Sequence, residues 1–219
     1  MSKHKKNIAI YHDPEEINEK SITLANNIDF TSNDSIDEDI VQLWDSLQHK
    51  PKLLVFDLDL TLWPFWIDTH VSAPFKKSIE SNGNFTILDD DNKVMTYFSD
   101  VPKILNTLRR CSAKSNGYMA VASRTAFREE AIQLLSLYEW IDHFDSLQMF
   151  SGSKVRHINR ICTELGIKDK KEILFFDDDN RNIIDTVSLG VTACLLDMSW
   201  GLTKDSCIKG LKMYERKFR

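Results

Sequence analysis

The chain has 219 residues, 42% of them hydrophobic, with 7 glycines and 5 prolines, so a full hydrophobic core can form and collagen-like, coiled-coil and wholly disordered classes are excluded. The formal net charge of −5 is unevenly spread, because residues 1–50 hold 5 lysines and 10 acidic residues whereas residues 51–219 hold 23 of each sign. This balance leaves no basic surface, so nucleic acid is not expected as a partner.

The amino-terminal residues carry no recognisable export signal. Their apolar stretch is too short for a signal-peptide core, and no run of about 18 apolar residues occurs in the chain. Four widely spaced cysteines without a C-x-x-C pair favour buried thiols in a reducing compartment. We therefore expect a cytoplasmic protein that has no membrane partner.

Residues 1–50 are predicted to form an acidic, mostly flexible extension, because polar and acidic residues dominate there and apolar residues are isolated. Near its end, apolar residues recur at helical spacing behind Asp34 and Ser35, which are candidate helix caps. We predict a short helix at 36–47 that packs on the following domain. A partner-binding motif is the alternative interpretation.

From residue 51 to residue 219, short apolar runs alternate with amphipathic stretches of helical length. The predicted strands are 53–56, 119–122, 173–176 and 192–196. The predicted helices are 101–115, 127–138, 153–165, 180–189 and 203–217. Continuously apolar strands separated by helices indicate an α/β fold, a doubly wound parallel sheet covered by helices on both faces.

One insertion interrupts this alternation before the helix at 101. The segments 85–88 and 93–98 are separated by an Asp-Asp-Asp-Asn run at 89–92, whose residue types suit a turn. We therefore predict a small β-hairpin and interpret the acidic run as its turn rather than as a metal site. The insert is too short for a lid, so essentially no cap domain is expected, and a monomer is the expected state.

Polar side chains follow the predicted strands, at the edge where doubly wound folds bind their ligands. The candidate site residues there, with one lysine at the start of the helix at 153–165, are Asp57, Asp59, Ser123, Arg124, Lys154 and Asp177. Carboxylates suit Mg²⁺, which offsets the repulsion between a carboxylate and a phosphate dianion. A hydroxyl and an ammonium can hold phosphoryl oxygens, so the pattern indicates magnesium-dependent phosphoryl transfer.

Asp57 and Asp59 can serve different roles although they lie two residues apart. The backbone can turn between them, so that one carboxylate faces the substrate as a nucleophile. The other can lie in a drier place, where its pKa rises from about 3.9 and it holds a proton for the leaving oxygen.

The ordered series hhhDxDxT, hhhS, a lysine at a helix start and hhhDD resembles the four motifs of the haloacid dehalogenase (HAD) superfamily. Longer stretches resemble its magnesium-dependent phosphatase-1 family, namely FDLDLTLWPFWIDTHV at 56–71, ASRT at 122–125, GSK at 152–154 and FFDDDNRNIID at 175–185. The resemblance runs from about residue 51 to the carboxyl terminus. The acidic extension lies outside it.

This resemblance implies a phosphomonoesterase in which Asp57 forms an aspartyl-phosphate and Asp59 acts as acid and then as base. It implies Mg²⁺ held by the Asp57 and Asp177 carboxylates and the Asp59 main-chain carbonyl, with Ser123 and Lys154 on the phosphoryl group. It also implies an open site, and as substrates phosphotyrosine proteins or phosphosugars, including phosphorylated glycation adducts.

Several residues keep two interpretations. Arg124 either contacts the substrate or pairs with a nearby acid. Of Asp178 and Asp179, one is expected near the metal and the other as a helix cap. The aromatic residues after Asp59 are Trp63, Phe65 and Trp66. They are interpreted as core, and the alternative is a wall that contacts a phosphotyrosine ring or a sugar. A substrate contact is considered for His70, which follows them.

Two rival functions share parts of this pattern. A phosphoserine phosphatase of the polymerase-tail type also has D-x-D-x-T-L, but the W-P-F-W-x-D-T-H continuation argues against it. A non-catalytic binding protein on the same fold is disfavoured, because every catalytic position is intact.

Overall fold

The computed structural model describes residues 35–79 and 85–218. The predicted acidic extension falls outside the described residues up to residue 34, so its flexibility stays a prediction. Within the described ranges, every helix is too short or too polar to cross a bilayer. The four cysteines are free and buried, in agreement with their expected structural role.

The strands are β1 (Leu53–Phe56), β2 (Lys76–Ile79), β3 (Phe85–Leu88), β4 (Tyr118–Ser123), β5 (Ser146–Met149), β6 (Ile173–Asp177) and β7 (Thr192–Leu195). Five of them form the main parallel sheet in the order β5-β4-β1-β6-β7, and β2 and β3 form a separate hairpin. The helices are α1 (Glu38–Ser46), α2 (Val101–Lys114), α3 (Arg128–Leu137), α4 (Lys154–Leu165), α5 (Asn180–Val187) and α6 (Lys204–Arg216). This arrangement confirms the predicted doubly wound α/β fold.

The central strand β1 is buried along its whole length, which explains its continuous apolar sequence. It pairs with β4 on one side and β6 on the other. Leu54 and Phe56 belong to a core shared with α1, α2, α3 and α6, whereas Leu53 and Val55 belong to a second core under α4 and α5. Helices therefore cover both faces of the sheet, and the carboxyl ends of the strands lie at one edge because the strands are parallel.

Strand β5 was not expected from the sequence. Its residues, Ser-Leu-Gln-Met, alternate apolar and polar residues too briefly to indicate a strand, and it pairs only with β4, at the edge of the sheet. The parallel pairing with β4 fixes it in place. Its carboxyl end leads into the loop that precedes α4.

The insert is an antiparallel hairpin, as predicted, but its partner strand differs from the prediction. Strand β3 pairs along its length with β2, and it meets the predicted segment 93–98 only through a bridge between Leu88 and Val94. The side chains of β2 are exposed, so this strand has no apolar pattern that would indicate it. The acidic run does form a turn, in which the Asn92 amide donates to the Asp89 carbonyl over 3.1 Å.

Helix α1 lies within the stretch 36–47, where the sequence predicts a short helix. Its N-cap is Asp37 rather than Asp34 or Ser35, because the Asp37 Oδ1 accepts hydrogen bonds from the amides of Asp39 and Ile40 at 3.1 and 3.2 Å. Ile40 and Trp44 are buried in the core that α1 shares with α2 and α6. The helix thus packs on the body of the protein.

Candidate active site

The site lies at the carboxyl edge of the three central strands. Asp57 follows β1, Ser123 ends β4 and Asp177 ends β6, while Lys154 is the first residue of α4. Because parallel strands end at the same edge, residues that are far apart in sequence meet there. Asp57 is tied to the neighbouring strand, since its amide donates to the Phe176 carbonyl at 3.0 Å.

Lys154 joins the two strand-end carboxylates. Its side chain is fully buried, and its Nζ lies 2.7 Å from Asp57 Oδ1 and 3.0 Å from Asp177 Oδ2. It also donates to the Ala122 carbonyl at the end of β4. Burial alone would lower the pKa of Lys154, but the two carboxylates outweigh it and raise that pKa, so the group stays an ammonium.

The Asp57 carboxylate is held in one orientation by two donors on the same oxygen. Besides the Lys154 ammonium, the amide of Leu58 donates to Oδ1 over 2.8 Å. The side chain is largely buried, with 8% of the residue exposed, so it reaches solvent through a small opening only. A carboxylate fixed in this way needs little reorganisation before it reacts.

Three carboxylates are clustered around this lysine. Oxygen atoms of Asp57, Asp177 and Asp178 lie within 4.8 Å of one another. Burial raises the pKa of Asp178 to about 8, with further contributions from the charges of Asp57 and Asp177, and burial likewise raises the pKa of Asp177. One ammonium does not balance three carboxylates, and an all-oxygen donor set suits a hard divalent cation, so these residues fit Mg²⁺.

Asp59 has a different environment. Its Oδ1 accepts hydrogen bonds from the indole Nε1 of Trp63 at 2.7 Å and from the amide of Ile67 at 3.3 Å. Burial, reinforced by the charge of Asp57, raises the pKa of Asp59 to about 7 against the effect of these donors. Near neutral pH this carboxyl group can therefore hold or release a proton.

The backbone directly after Asp59 is strained. Leu60 has a φ of 55°, a left-handed conformation that costs energy for a residue with a side chain. Burial of Leu60 and a hydrogen bond from the Leu62 amide to the Leu58 carbonyl, at 2.8 Å, hold the turn. The turn brings Trp63 and Ile67 back to the Asp59 carboxyl group, whose Oδ1 accepts a hydrogen bond from each of them.

Ser123 and Arg124 lie side by side but differ in exposure. Ser123 is buried, and its Oγ accepts a hydrogen bond from the Thr125 amide at 3.3 Å. Half of the Arg124 side chain is exposed, and its guanidinium lies 3.9 Å from Asp179 Oδ2. Asp179 also caps α5, since its Oδ1 accepts from the Arg181 amide at 2.9 Å. Arg124 therefore has an acidic neighbour and still faces solvent.

The two acids after Asp177 take different positions. Asp178 joins the carboxylate cluster and Asp179 is the helix cap. The candidates Asp57, Lys154 and Asp177 are brought into direct contact. Sequence reasoning could indicate that one of the two acids after Asp177 is near the metal, but only the start of α5 distinguishes them.

The aromatic residues after the nucleophile loop form mainly core. Trp63 and Phe65 are buried and stacked, with ring centroids 5.7 Å apart. Trp66 is half-buried and stacks on His70, with centroids 5.1 Å apart and planes 20° from parallel. The packing interpretation is confirmed for Trp63 and Phe65, whereas Trp66 retains an accessible face.

Comparisons with known proteins agree with this geometry. Residues 49–217 match the family model described as Acid Phosphatase. The chain is 39% identical to human "Magnesium-dependent phosphatase 1" over 76% of this chain and 88% of that protein. It is 40% identical to a HAD-like hydrolase superfamily protein of Schizosaccharomyces pombe over 65% of this chain and 83% of that protein. The crystal structure of a HAD-superfamily hydrolase from Ehrlichia chaffeensis shares the fold, with a TM-score of 0.51 and 14% sequence identity. The match covers 76% of this chain and 98% of that one.

Proposed function

The chain belongs to the Acid Phosphatase family and is a magnesium-dependent phosphatase of the HAD superfamily, and from this premise we propose that it hydrolyses phosphomonoesters through an aspartyl-phosphate on Asp57. The observation that carries the proposal is the contact of Lys154 with Asp57 and Asp177, 2.7 and 3.0 Å away. This contact supports the proposal because a fixed positive charge beside Asp57 can hold the phosphoryl oxygens of a substrate.

In the first step, an Asp57 carboxylate oxygen attacks phosphorus and the bond from phosphorus to the ester oxygen breaks. Asp59 gives its proton to the leaving oxygen, which departs as an alcohol or phenol. The raised pKa of Asp59, about 7, supports this role because the group carries a proton near neutral pH. Its hydrogen bonds to Trp63 and Ile67 hold the carboxyl group in place.

In the second step, Asp59 accepts a proton from water while the water oxygen attacks the phosphorus of the aspartyl-phosphate. The bond from phosphorus to Asp57 breaks, inorganic phosphate leaves, and both aspartates return to their starting states. Ser123 and Lys154 bind the phosphoryl oxygens throughout, and exposed Arg124 is suited to a further anionic or polar group of the substrate.

The residues proposed to hold the cation are Asp57, Asp177 and Asp178 through carboxylates and Asp59 through its main-chain carbonyl. Mg²⁺ bound there would neutralise the charge that opposes the approach of a phosphate dianion to the nucleophile. Removal of Mg²⁺ with EDTA is expected to abolish turnover, and added Mg²⁺ to restore it. Hydrolysis that EDTA does not affect would contradict this part of the proposal.

The substrate class we propose is phosphotyrosine proteins or phosphosugars, including phosphorylated glycation adducts. Support comes from the small insert, a hairpin rather than a lid within the described residues, and from the accessible face of Trp66 beside the nucleophile loop. A kinetic panel of phosphotyrosine peptides, sugar phosphates and phosphorylated glycated lysine would separate these classes. A preference for phosphoserine peptides would instead favour the rival phosphatase type.

The experiment that tests the nucleophile is Asp57→Asn, which keeps the shape of the side chain and removes its nucleophilic oxygen. Turnover of p-nitrophenyl phosphate with Mg²⁺ is expected to fall by at least about 10³-fold, because an essential nucleophile is lost. Asp185→Asn, a neutral exchange at an exposed position of α5, is the control and should leave the rate unchanged. Substantial activity in Asp57→Asn would overturn the assignment.

A further inference from the structure

His157 is a buried histidine one turn after Lys154 on α4. Its side chain has no exposed surface, and the ring stacks on Phe150, with centroids 4.0 Å apart and planes 17° from parallel. The ring Nδ1 lies 2.8 Å from the Ser153 carbonyl oxygen and Nε2 lies 2.9 Å from the Phe150 carbonyl oxygen. One ring thus bridges both ends of the segment 150–153.

This bridging is unusual because both partners are hydrogen-bond acceptors. A neutral imidazole has one N–H, so it can donate to only one of the two carbonyl groups at a time. Burial lowers the pKa of His157, and the nearby Lys154 ammonium also acts to lower it, which favours the neutral ring at pH 7. One donated hydrogen bond and the stacking on Phe150 then hold the ring.

The segment 150–153, which we call the lysine loop, connects directly to the catalytic groups. At its start the Phe150 amide donates to the carbonyl of Ser123 over 3.2 Å, and at its end Ser153 is followed by Lys154. His157 therefore touches the two ends of a segment that runs from the end of β5, where Phe150 is hydrogen-bonded to Ser123, to the first residue of α4. A shift of either end would move the Lys154 ammonium relative to Asp57.

We infer that His157 is a positioning residue for phosphoryl transfer: it fixes the lysine loop through a carbonyl group, and the loop in turn holds Lys154 against Asp57 beside Ser123. This inference rests on the proposed function, since it needs Lys154 to bind the phosphoryl group. It also explains why a polar ring occupies a position of α4 that faces the interior of the protein. A phenylalanine would be somewhat larger and could still stack on Phe150, but it could not donate to either carbonyl.

The central variant is therefore His157→Phe, which replaces the imidazole by an aromatic ring that has no nitrogen. We expect kcat/KM for p-nitrophenyl phosphate to fall by about 10–100-fold at saturating Mg²⁺, because small displacements of a catalytic group are costly. The Mg²⁺ concentration for half-maximal activity should stay within about twofold, since the carboxylates proposed to bind the cation are not on the lysine loop. Rates are measured well below the thermal unfolding midpoint of each variant.

A double-mutant cycle with Lys154→Met tests whether His157 acts through the lysine. In the Lys154→Met background, His157→Phe should lower kcat/KM by less than about threefold, because the group it positions is absent. Equal losses in both backgrounds would overturn the inference. So would wild-type kcat/KM in the single variant His157→Phe.

Two further variants keep the inference testable even if His157→Phe does not fold. His157→Gln places a donor near the Phe150 carbonyl, and His157→Asn places one near the Ser153 carbonyl. One of the two should recover activity to within about threefold of the wild type, since a neutral ring uses one donor. Recovery by neither variant, or wild-type activity in both, would contradict the inference.

The control for packing is Ile161→Val, a small truncation of a buried residue one turn further along α4. It should lower the unfolding midpoint and leave kcat/KM unchanged. Wild-type turnover and its loss in Lys154→Met test the proposed function by themselves. If both behave as proposed while His157→Phe is fully active, only the inference about His157 fails.

Discussion

The Asp57 and Asp59 carboxyl groups are separated by one residue but face different surroundings. Asp57 is bound by a buried ammonium and a backbone amide, whereas Asp59 is bound by an indole N–H and a second amide. The contrast fits the proposed mechanism, which needs a charged nucleophile and a proton donor within one short loop.

The role of Asp59 predicts a specific kinetic signature for Asp59→Asn. Nitrophenol needs little help from an acid to leave, so the first step should survive while water activation is lost. We expect a burst of nitrophenol equal to the enzyme concentration, followed by turnover about 10²–10⁴-fold slower than in the wild type. Stopped-flow absorbance measures both phases. A slow rate without a burst would show that Asp59 is needed before the covalent step.

The site residues were predictable to different degrees. Asp57, Ser123, Lys154 and Asp177 follow from the order of strands and from residue type, because parallel strands bring their ends together. His157 has no companion motif in the sequence. Its placement depends on two backbone carbonyl groups that the folded lysine loop directs at the ring, and side-chain spacing alone does not indicate such contacts.

Helix α1 is joined to the body by its cap as well as by its apolar face. The Asp37 carboxylate is buried, caps the helix and lies 3.2 Å from the Lys204 ammonium at the start of α6. Burial would raise the pKa of Asp37, but the hydrogen bond from the Ile40 amide and the lysine charges lower it below its usual value. A carboxyl group with a lowered pKa stabilises the folded state when ionised.

The cap predicts graded effects of two substitutions. Asp37→Ala should lower the free energy of unfolding by about 1–2 kcal/mol, because the cap and ion pairs are lost. Asp37→Asn keeps a capping oxygen and should lose less, about 1 kcal/mol or under. The difference in unfolding free energy between the wild type and Asp37→Asn should persist above a pH of about 3.9, the ordinary pKa of an aspartate. It should disappear as the pH falls through the lowered pKa of Asp37. Urea unfolding at several pH values measures this, and a difference that grows in acid would contradict it.

The helices and central strands were predictable because their apolar periodicity reflects burial. The predicted helix at 180–189 and α5 differ by two residues at one end, a typical uncertainty of boundaries. Strands β2 and β5 were not predictable, since β2 is exposed and β5 lies at an edge with a polar sequence. Backbone pairing rather than apolar burial sets the place of these two strands.

The whole molecule joins an acidic amino-terminal segment to a neutral phosphatase body, and α1 belongs to the packing of that body. Ile40 and Trp44 are 0% and 1% exposed and contribute to the same core as β1. The division at residue 50, drawn from composition, stays a prediction. Charge balance alone could not show that the apolar face of α1 completes the core.

Two truncations separate the contribution of residues 1–33 from that of helix α1. Deletion of residues 1–33 is expected to leave kcat/KM for p-nitrophenyl phosphate within about twofold of the full chain, because it removes none of the residues that build the site. Deletion of residues 1–50 should lower the free energy of unfolding by at least about 5 kcal/mol, because it removes two large buried side chains. Enzyme kinetics measure the change in kcat/KM, and unfolding experiments measure the change in stability. Loss of activity in the shorter deletion would show that the segment 1–33 supports the site.

The proposed mechanism depends on a covalent bond between Asp57 and phosphorus. A crystal structure of the protein with Mg²⁺ and beryllium fluoride, which mimics a phosphoryl group on a carboxylate, tests this most directly. We expect beryllium bonded to an Asp57 oxygen, with the fluorides in contact with Lys154 and Ser123 and Asp59 unmodified. A beryllium adduct on Asp59, or a fully occupied metal site with Asp57 unmodified, would contradict the proposed mechanism.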